Sequence, residues 1–213
     1  MIPVPTPKPA RTDAMHARPL FRLCAVAALS LALAGCISFG GGGKTPPTLI
    51  TLTPEATAPA GAAVSGKAGE AIVVLDPETD QRLGVQRVAV AVDAANVAYL
   101  KQAMWVERPA RLFRALLAET LRAKGDRLVF ENADGAASGR VRLAGRLLDI
   151  GYDGPTRAVI VRYDAVLEKP GGEIATRRFE ARVPGVAPEA KEAGPALNRA
   201  ANEVAKQVAD WVG

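Results

Sequence analysis

Histidine is almost missing from this chain: His16 is the one copy, and the only cysteines are Cys24 and Cys36. A chain that begins at Cys36 has no histidine and no thiol other than that of Cys36 itself. That excludes His-based acid–base catalysis, Ser–His–Asp and Cys–His nucleophiles, nearly every zinc or iron site, and any intramolecular disulfide. Serine is scarce too. After Cys36 there are only Ser38, Ser65 and Ser138, none in a nucleophile-elbow setting. No GxGxxG stretch and no full GxxxxGK[ST] occurs, since Gly43-Lys44-Thr45 has Ser38 where the first glycine would stand, so a phosphate-cradling loop is not expected. Aromatic residues make up 5% of the chain, and the formal charge is only +5. Much of that charge sits at the front, where Lys8, Arg11, Arg18 and Arg22 face a single acid, Asp13. Taking these four from 27 basic side chains and one from 22 acidic ones leaves 23 and 21, a net of +2 from Cys36 onward. A nucleic-acid binder carries a basic stripe with interleaved aromatics; here the arginines are scattered among acids, and no nucleic-acid partner is expected. Neither a metal nor any other cofactor is expected.

What the sequence does have is a stretch that reads as a leader. Residues 18 to 36 read RPLFRLCAVAALSLALAGC. Arg18 and Arg22 form a positive n-region. Leu23 to Leu33 is an apolar h-region of the usual ~7–15 residues, too short to serve as a spanning anchor. Leu33-Ala34-Gly35-Cys36 then fits a bacterial lipobox: an aliphatic residue, two small residues and cysteine. The spacing follows from the chemistry. The Cys36 thiolate must attack a lipid donor at the membrane surface, and small residues at 34 and 35 let a peptidase cut beside the modified side chain. The expected mature N-terminus is a diacylglyceryl cysteine that also carries an N-acyl chain such as palmitate. Stable attachment needs two or more chains, at ~0.8 kcal/mol per buried methylene. Cys24 lies within the h-region, with Arg22 two places before it, and is expected to be discarded. Met15 is an alternative start that gives a leader of ordinary length. Ile37 stands where an aspartate would retain the protein at the inner membrane, so sorting to the periplasmic face of the outer membrane is expected. Residues 36 to 47, with glycines 40 to 43 and Pro46-Pro47, read as a flexible tether that stiffens toward its end. The organisation expected is a cleaved leader over 1–35, a lipidated tether over 36–47 and a periplasmic domain over 48–213.

Within that domain, the periodicity predicts one α+β unit, with two helices packed on one face of a mainly antiparallel sheet. TLITLT (48–53) alternates as a short first strand, AIVVL (71–75) is a buried strand, and VQRVAVAV (85–92) alternates clearly. Residues 97–106, VAYLKQAMWV, are ambiguous between a strand and an irregular excursion. Pro109 suits the first turn of a helix whose apolar stripe is Leu112, Phe113, Leu116, Leu117 and Leu121, ending at Gly125. Strands are expected at 127–131, 139–152, 157–168 and 173–183, joined as an antiparallel meander through DGP and PGG turns. A last helix carries Leu197, Ala201, Val204, Val208 and Val212 at 3.6-residue spacing.

Several groups could be functional. Asp149 and Asp153 flank Tyr152, but in an alternating strand they are better read as hairpin caps than as paired catalytic acids. Arg140, Arg142, Arg146, Arg177, Arg178 and Arg182 read first as a solvated sheet face, with anionic headgroups or an acidic partner as the alternative. Tyr99, Met104 and Trp105 concentrate large side chains in a chain poor in them. Core packing and a partner contact are both open for them, since aromatics and Met are enriched in interface cores.

The ordered set of lipobox, PPTLITLTP, AIVVLDP and VQRVAVAVDAANVAYLKQAMWVERPARLFRALLAETL resembles the ABC-type transport auxiliary lipoproteins. Tyr99, Trp105 and Pro109 match the family's tyrosine and W-x-x-x-P ahead of a helix. Leu49-Ile50-Thr51-Leu52 occupies its first strand without the family's usual tyrosine, and the Pro-Gly approach to the second half is replaced by Asp93-Ala94-Ala95-Asn96. The resemblance covers most of residues 36 to 213. It implies a non-enzymatic outer-membrane lipoprotein that docks an MCE-domain periplasmic protein, with an inner-membrane permease and ATPase moving lipid, and with a homo-oligomer as a possible assembly. Cys36 is then the one residue with assigned chemistry, and Tyr99, Met104 and Trp105 are the expected partner contact. Two rivals are an assembly or secretion lipoprotein that binds an integral barrel, and an envelope hydrolase. The hydrolase needs a nucleophile or paired acids in a cleft.

Overall fold

Strand β5, Val141–Asp153, organises the molecule. A computed structural model describes residues 48–132 and 140–213. Along one edge β5 pairs antiparallel with β6, Ala158–Glu168, which pairs antiparallel with β7, Ile174–Pro184. This is the meander that the turn residues predict. The other edge of β5 is shared. Its first residues take β1, Ile72–Val74, in parallel (Ile72 opposite Val141), and its last take β2, Arg87–Ala91, also in parallel (Ala89 opposite Gly151). Outside β1 lies β4, Val129–Glu131, parallel to it. Outside β2 lies β3, Val97–Met104, antiparallel to it. The seven-stranded sheet therefore forks at β5.

The sheet is mainly antiparallel, as expected, through the long β5–β6 and β6–β7 ladders and β2–β3, but it is mixed rather than purely so. Three pairings, β1–β4, β1–β5 and β2–β5, are parallel, and the last predicted strand group contributes β4 to β1 rather than to the meander. The physical reason is visible in β1. Ile72, Val73 and Val74 are all fully buried, as suits a short strand covered on both faces, and such apolar runs are typical of parallel pairing. The fork is set at Gly145. A Cβ there would lie 2.1 Å from the Asp164 carbonyl oxygen and 2.7 Å from the Tyr163 hydroxyl, so only glycine lets the strand take this path. A bulge between Leu147 and Asp149 follows, and the Glu78 N–H donates to the Gly145 carbonyl (2.9 Å) as the chain passes between the two arms.

Two helices cover one face. Helix α1, Pro109–Lys124, starts on proline and ends at Gly125 with φ of 75°, whose N–H donates to the Arg122 carbonyl. Its buried stripe is Phe113, Leu116, Leu117, Ala118 and Leu121. Helix α2, Ala190–Val212, buries Leu197, Val204, Val208 and a row of alanines that lets it lie close to α1, β6 and β7. Phe113 meets Tyr163 edge to face at 5.2 Å, and Phe179 packs on Trp211 at 5.6 Å. Among the described residues, no helix is long and apolar enough to cross a membrane.

The expected first strand over 48–53 is not one. Ile50 makes a single parallel bridge to Trp105, and beyond it the chain becomes a strap laid on the helices. The ambiguous 97–106 segment is a strand with a bulge. Arg87 pairs with Met104 and Ala89 with Tyr99, so five steps on β3 oppose two on β2, and Gln102 has φ of 54°.

Candidate functional site

Alternation divides the meander into two faces. Val159, Val161, Tyr163, Ala165 and Leu167 point into the core, which leaves Arg162, Asp164 and Glu168 on the open face beside β7 residues Arg178, Glu180 and Arg182. There they form a ladder of ion pairs. Arg162 reaches Asp149 (2.7 Å) and Glu180 (2.6 Å), Arg182 reaches Glu180 (2.8 Å), Arg178 grips both oxygens of Asp164 (2.5 and 2.7 Å), and Arg142 reaches Glu168 (2.9 Å). Arg82 approaches from the loop before β2 and holds Asp149 (2.8 Å) and Asp80 (2.9 Å). The hydrogen bond from Arg178 holds the Asp164 carboxyl below its ordinary range, and bonds from Arg182 and Arg162 do the same for Glu180.

This settles what several sequence features are. Asp149 sits within the ladder with a cation on each side. Asp153 ends β5, accepts the Thr156 hydroxyl at the turn and lies 3.6 Å from Arg182. Both carboxylates are engaged by cations or by the turn, which is not the setting of a free catalytic pair. Of the arginines read as one face, Arg142, Arg178 and Arg182 are ion-paired. Arg140 lies over the Phe130 ring, and Arg177 over Phe179 on the helix side. A cleft of about 200 Å³ among Arg82, Asp149, Tyr152, Arg162 and Arg182 is lined by charges already matched to one another.

The strap has its own attachments. On α2, Asn198 Oδ1 accepts the Thr53 N–H (2.7 Å). One turn on, Asn202 Oδ1 accepts the Glu55 N–H (2.8 Å), and its Nδ2 donates to the Thr53 carbonyl (2.9 Å). Glu119 on α1 accepts the Ala58 N–H (2.9 Å). Leu52 is buried beneath, and Ile50 packs against the core. Chain arriving from the N-terminal side is therefore fastened across both helices before it enters the sheet. Sequence reasoning passed over Asn198 and Asn202. The signal was two asparagines four apart beside an Ala/Val stripe, where a polar side chain needs a reason.

Tyr99, Met104 and Trp105 part company. Trp105 is 1% exposed and belongs to the core, with its indole N–H buried and without a partner among the described residues. Tyr99 and Met104 lie on the outward side, half-buried, with the Arg87 guanidinium 4.5 Å over the Tyr99 ring. Only these two of the three offer atoms to a partner. Around them sit Leu49, Val85 and Val106, each more than a third exposed. Cys36 and the tether lie outside the described residues.

Comparisons with known proteins bear on this geometry. A family model described as ABC-type transport auxiliary lipoprotein component matches residues 51–209. Protein XCC0632 from Xanthomonas campestris, a DUF330 protein, has a solved structure similar to this fold, with TM-score 0.63 and 16% identity, covering 77% of this chain and 94% of that one. The solved structure of an uncharacterized protein is similar at TM-score 0.58 and 13% identity, covering 68% and 93%. At such identities these neighbours speak to the fold alone. No curated protein matches the chain. The chain belongs to the family of ABC-type transport auxiliary lipoprotein components.

Proposed function

We propose that this family member is held on the periplasmic face of the outer membrane by a lipid on Cys36 and serves as the non-enzymatic docking component of an MCE-type ABC lipid transporter. Its partners in this reading are an MCE-domain periplasmic protein and, through it, an inner-membrane permease and ATPase. The energy for transport and the hydrophobic conduit belong to those partners. This chain contributes attachment to the membrane and a rigid body.

The observation that carries the reading is the family match over residues 51–209, which takes in the strap, both helices and the whole sheet. Two features of the chain support it. The lipobox at Leu33–Cys36 supplies the covalent attachment chemistry, and the strap fastens the chain that follows it to α1 and α2, so that load on the tether reaches the body through hydrogen bonds and the buried Leu52. Clefts on the open face are lined by arginines and acids already engaged with each other, as suits a scaffold.

The test is mild crosslinking in envelopes with an affinity tag at Gly213, beside a Cys36→Ala control, with captured proteins identified by mass spectrometry. The expected result is an MCE-domain protein together with its permease and ATPase, and loss of outer-membrane fractionation in the control. Capture of an integral barrel without any MCE component would replace this reading with that of an assembly lipoprotein.

A further inference from the structure

The surface around Tyr99 and Met104 has a composition and a position that together name what covers it. Trp105 and Ile50 face each other across a bridge and both pack inward. Side chains alternate along extended chain, so their neighbours Met104, Val106 and Leu49 point the other way. Val85 and Arg87 join them from the next chain over. Arg87 is the registered partner of Met104, and the Trp105 N–H donates to the Gln86 carbonyl (2.9 Å). With adjacent chains ~4.8 Å apart, the side chains of Leu49, Met104, Val106, Val85 and Arg87 form one contiguous outward patch. Leu49 is 48%, Val106 47% and Val85 39% exposed. Tyr99 lies at its border under Arg87, and exposed Lys101 and Arg108 complete a cationic rim. The acid nearest in the chain, Glu107, is taken by Arg111 at 2.9 Å.

Aliphatic side chains beside a tyrosine, rimmed by cations that form no ion pair among the described residues, are the chemistry of a bilayer interface: apolar groups enter the acyl boundary, the amphipathic ring sits at headgroup level and the cations meet lipid phosphates. Position points the same way. Leu49 is itself in the patch, and only residues 37 to 48 separate it from Cys36, a stretch that spans at most about 45 Å when fully extended. A second copy suits the patch less well, because a self-complementary pairing would set Arg87, Lys101 and Arg108 against their own counterparts.

We propose that the patch of Leu49, Val85, Met104 and Val106, with Arg87 and Tyr99, is the face by which the domain lies against an anionic phospholipid bilayer. The inference rests on the anchored reading above. It adds an orientation: β3 lies at the membrane end of the sheet, and the free edge of β7, at the opposite end, is left for the periplasm.

The chain makes a clean test possible, because its mature form has no thiol besides the lipidated Cys36. Full-length lipidated protein carrying Val85→Cys, Val106→Cys or Ile174→Cys is labelled with an environment-sensitive fluorophore. Each is reconstituted in vesicles of phosphatidylethanolamine and phosphatidylglycerol doped with spin-labelled lipid. Ile174 is the control, 64% exposed and at the start of β7. The expected result is a blue shift and quenching at Val85 and Val106, with neither at Ile174, and weaker quenching at both patch sites in Arg87→Glu. Equal quenching at all three sites, or quenching at none, overturns the proposal. So does a blue shift that needs added MCE-domain protein, or that rises with protein density in undoped vesicles, which would give the face to a protein partner or a second copy. Failure of the anchored reading looks different: the protein does not float with the vesicles, and mass spectrometry finds Cys36 unmodified.

Discussion

Replacing Asn202 by alanine tests how the strap is held. Asn202 is 6% exposed and makes two bonds to the strap, from the Glu55 N–H at 2.8 Å and to the Thr53 carbonyl at 2.9 Å. Its third bond, to the Asn198 carbonyl at 2.9 Å, is to a helical acceptor already used by the backbone and adds little. Each strap bond contributes a net ~0.5–1.5 kcal/mol. The Thr53 and Glu55 backbones lie at the surface, so water can reach the groups left behind and the upper end of that range does not apply. Two bonds then give about 2 kcal/mol, a fall in Tm of roughly 4–8 °C for a domain of this size. The companion variant Asn202→Asp keeps the acceptor for Glu55 but loses the donor, and sets a charged oxygen against the Thr53 and Asn198 carbonyls. It is expected to be less stable than Asn202→Ala at neutral pH and to recover as the pH falls, because the protonated carboxyl donates again. Thermal unfolding gives the size, and amide hydrogen exchange at Thr53 and Glu55 gives the place. Should Asn202→Ala leave both Tm and strap exchange unchanged, the strap is held by burial of Leu52 and Ile50 alone, and the argument from side-chain bonds fails.

Two further outcomes follow from the sheet. Gly145→Ala places a Cβ within 2.1 Å of the Asp164 carbonyl and strains a backbone at φ 154°, so it is expected to cost more than about 3 kcal/mol or to abolish soluble expression; a urea midpoint near wild type would refute the fork geometry. The ladder makes stability fall in acid: the folded pKa values of Asp164 and Glu180 are lowered by their arginines, so the contribution is present above the unfolded carboxylate value of ~4 and is lost as pH drops through the folded ones. The double variant Asp164→Asn/Glu180→Gln should flatten the loss of Tm between roughly pH 5 and pH 2, by a modest amount because both carboxylates are solvent-screened; an unchanged acid limb would assign the loss to other groups.

Elements with one apolar stripe or strict alternation were legible in the sequence, because a single local period decides them. Both helices, the β5–β6–β7 meander and the turns at 153–155 and 170–172 fall close to where their residues place them. What the sequence hid depends on pairing across distance. AIVVL reads the same whether its neighbours run parallel or antiparallel, and no local feature says that β5 divides one edge between β1 and β2. TLITLT alternates like a strand, yet the backbone from Thr53 onward is claimed by asparagines some 145 residues away. Trp105 illustrates the limit for site residues. A large aromatic fits core and interface equally in sequence, and one residue of register decides that it points inward while Met104 and Val106 point out.

The allocation of faces follows from these pairings. One face of the sheet is spent on α1 and α2, and the meander's open face is nearly self-neutralised: Arg162 and Arg182 share Glu180, and Arg82 and Arg162 share Asp149. A matched ladder of this kind resists edge association and binds free ions weakly, because each charge must first be separated from its partner. Arg87, Lys101 and Arg108, which pair with no acid among the described residues, gather instead beside exposed aliphatics at the end where the strap begins. The bulge in β3 is what brings them there. By inserting its extra residues between Tyr99 and Met104 it buries Leu100 and Ala103 and turns Lys101 and Gln102 outward. Straightening that bulge would return β3 to simple alternation along β2 and break up the cationic rim, while leaving the helices and the meander in place.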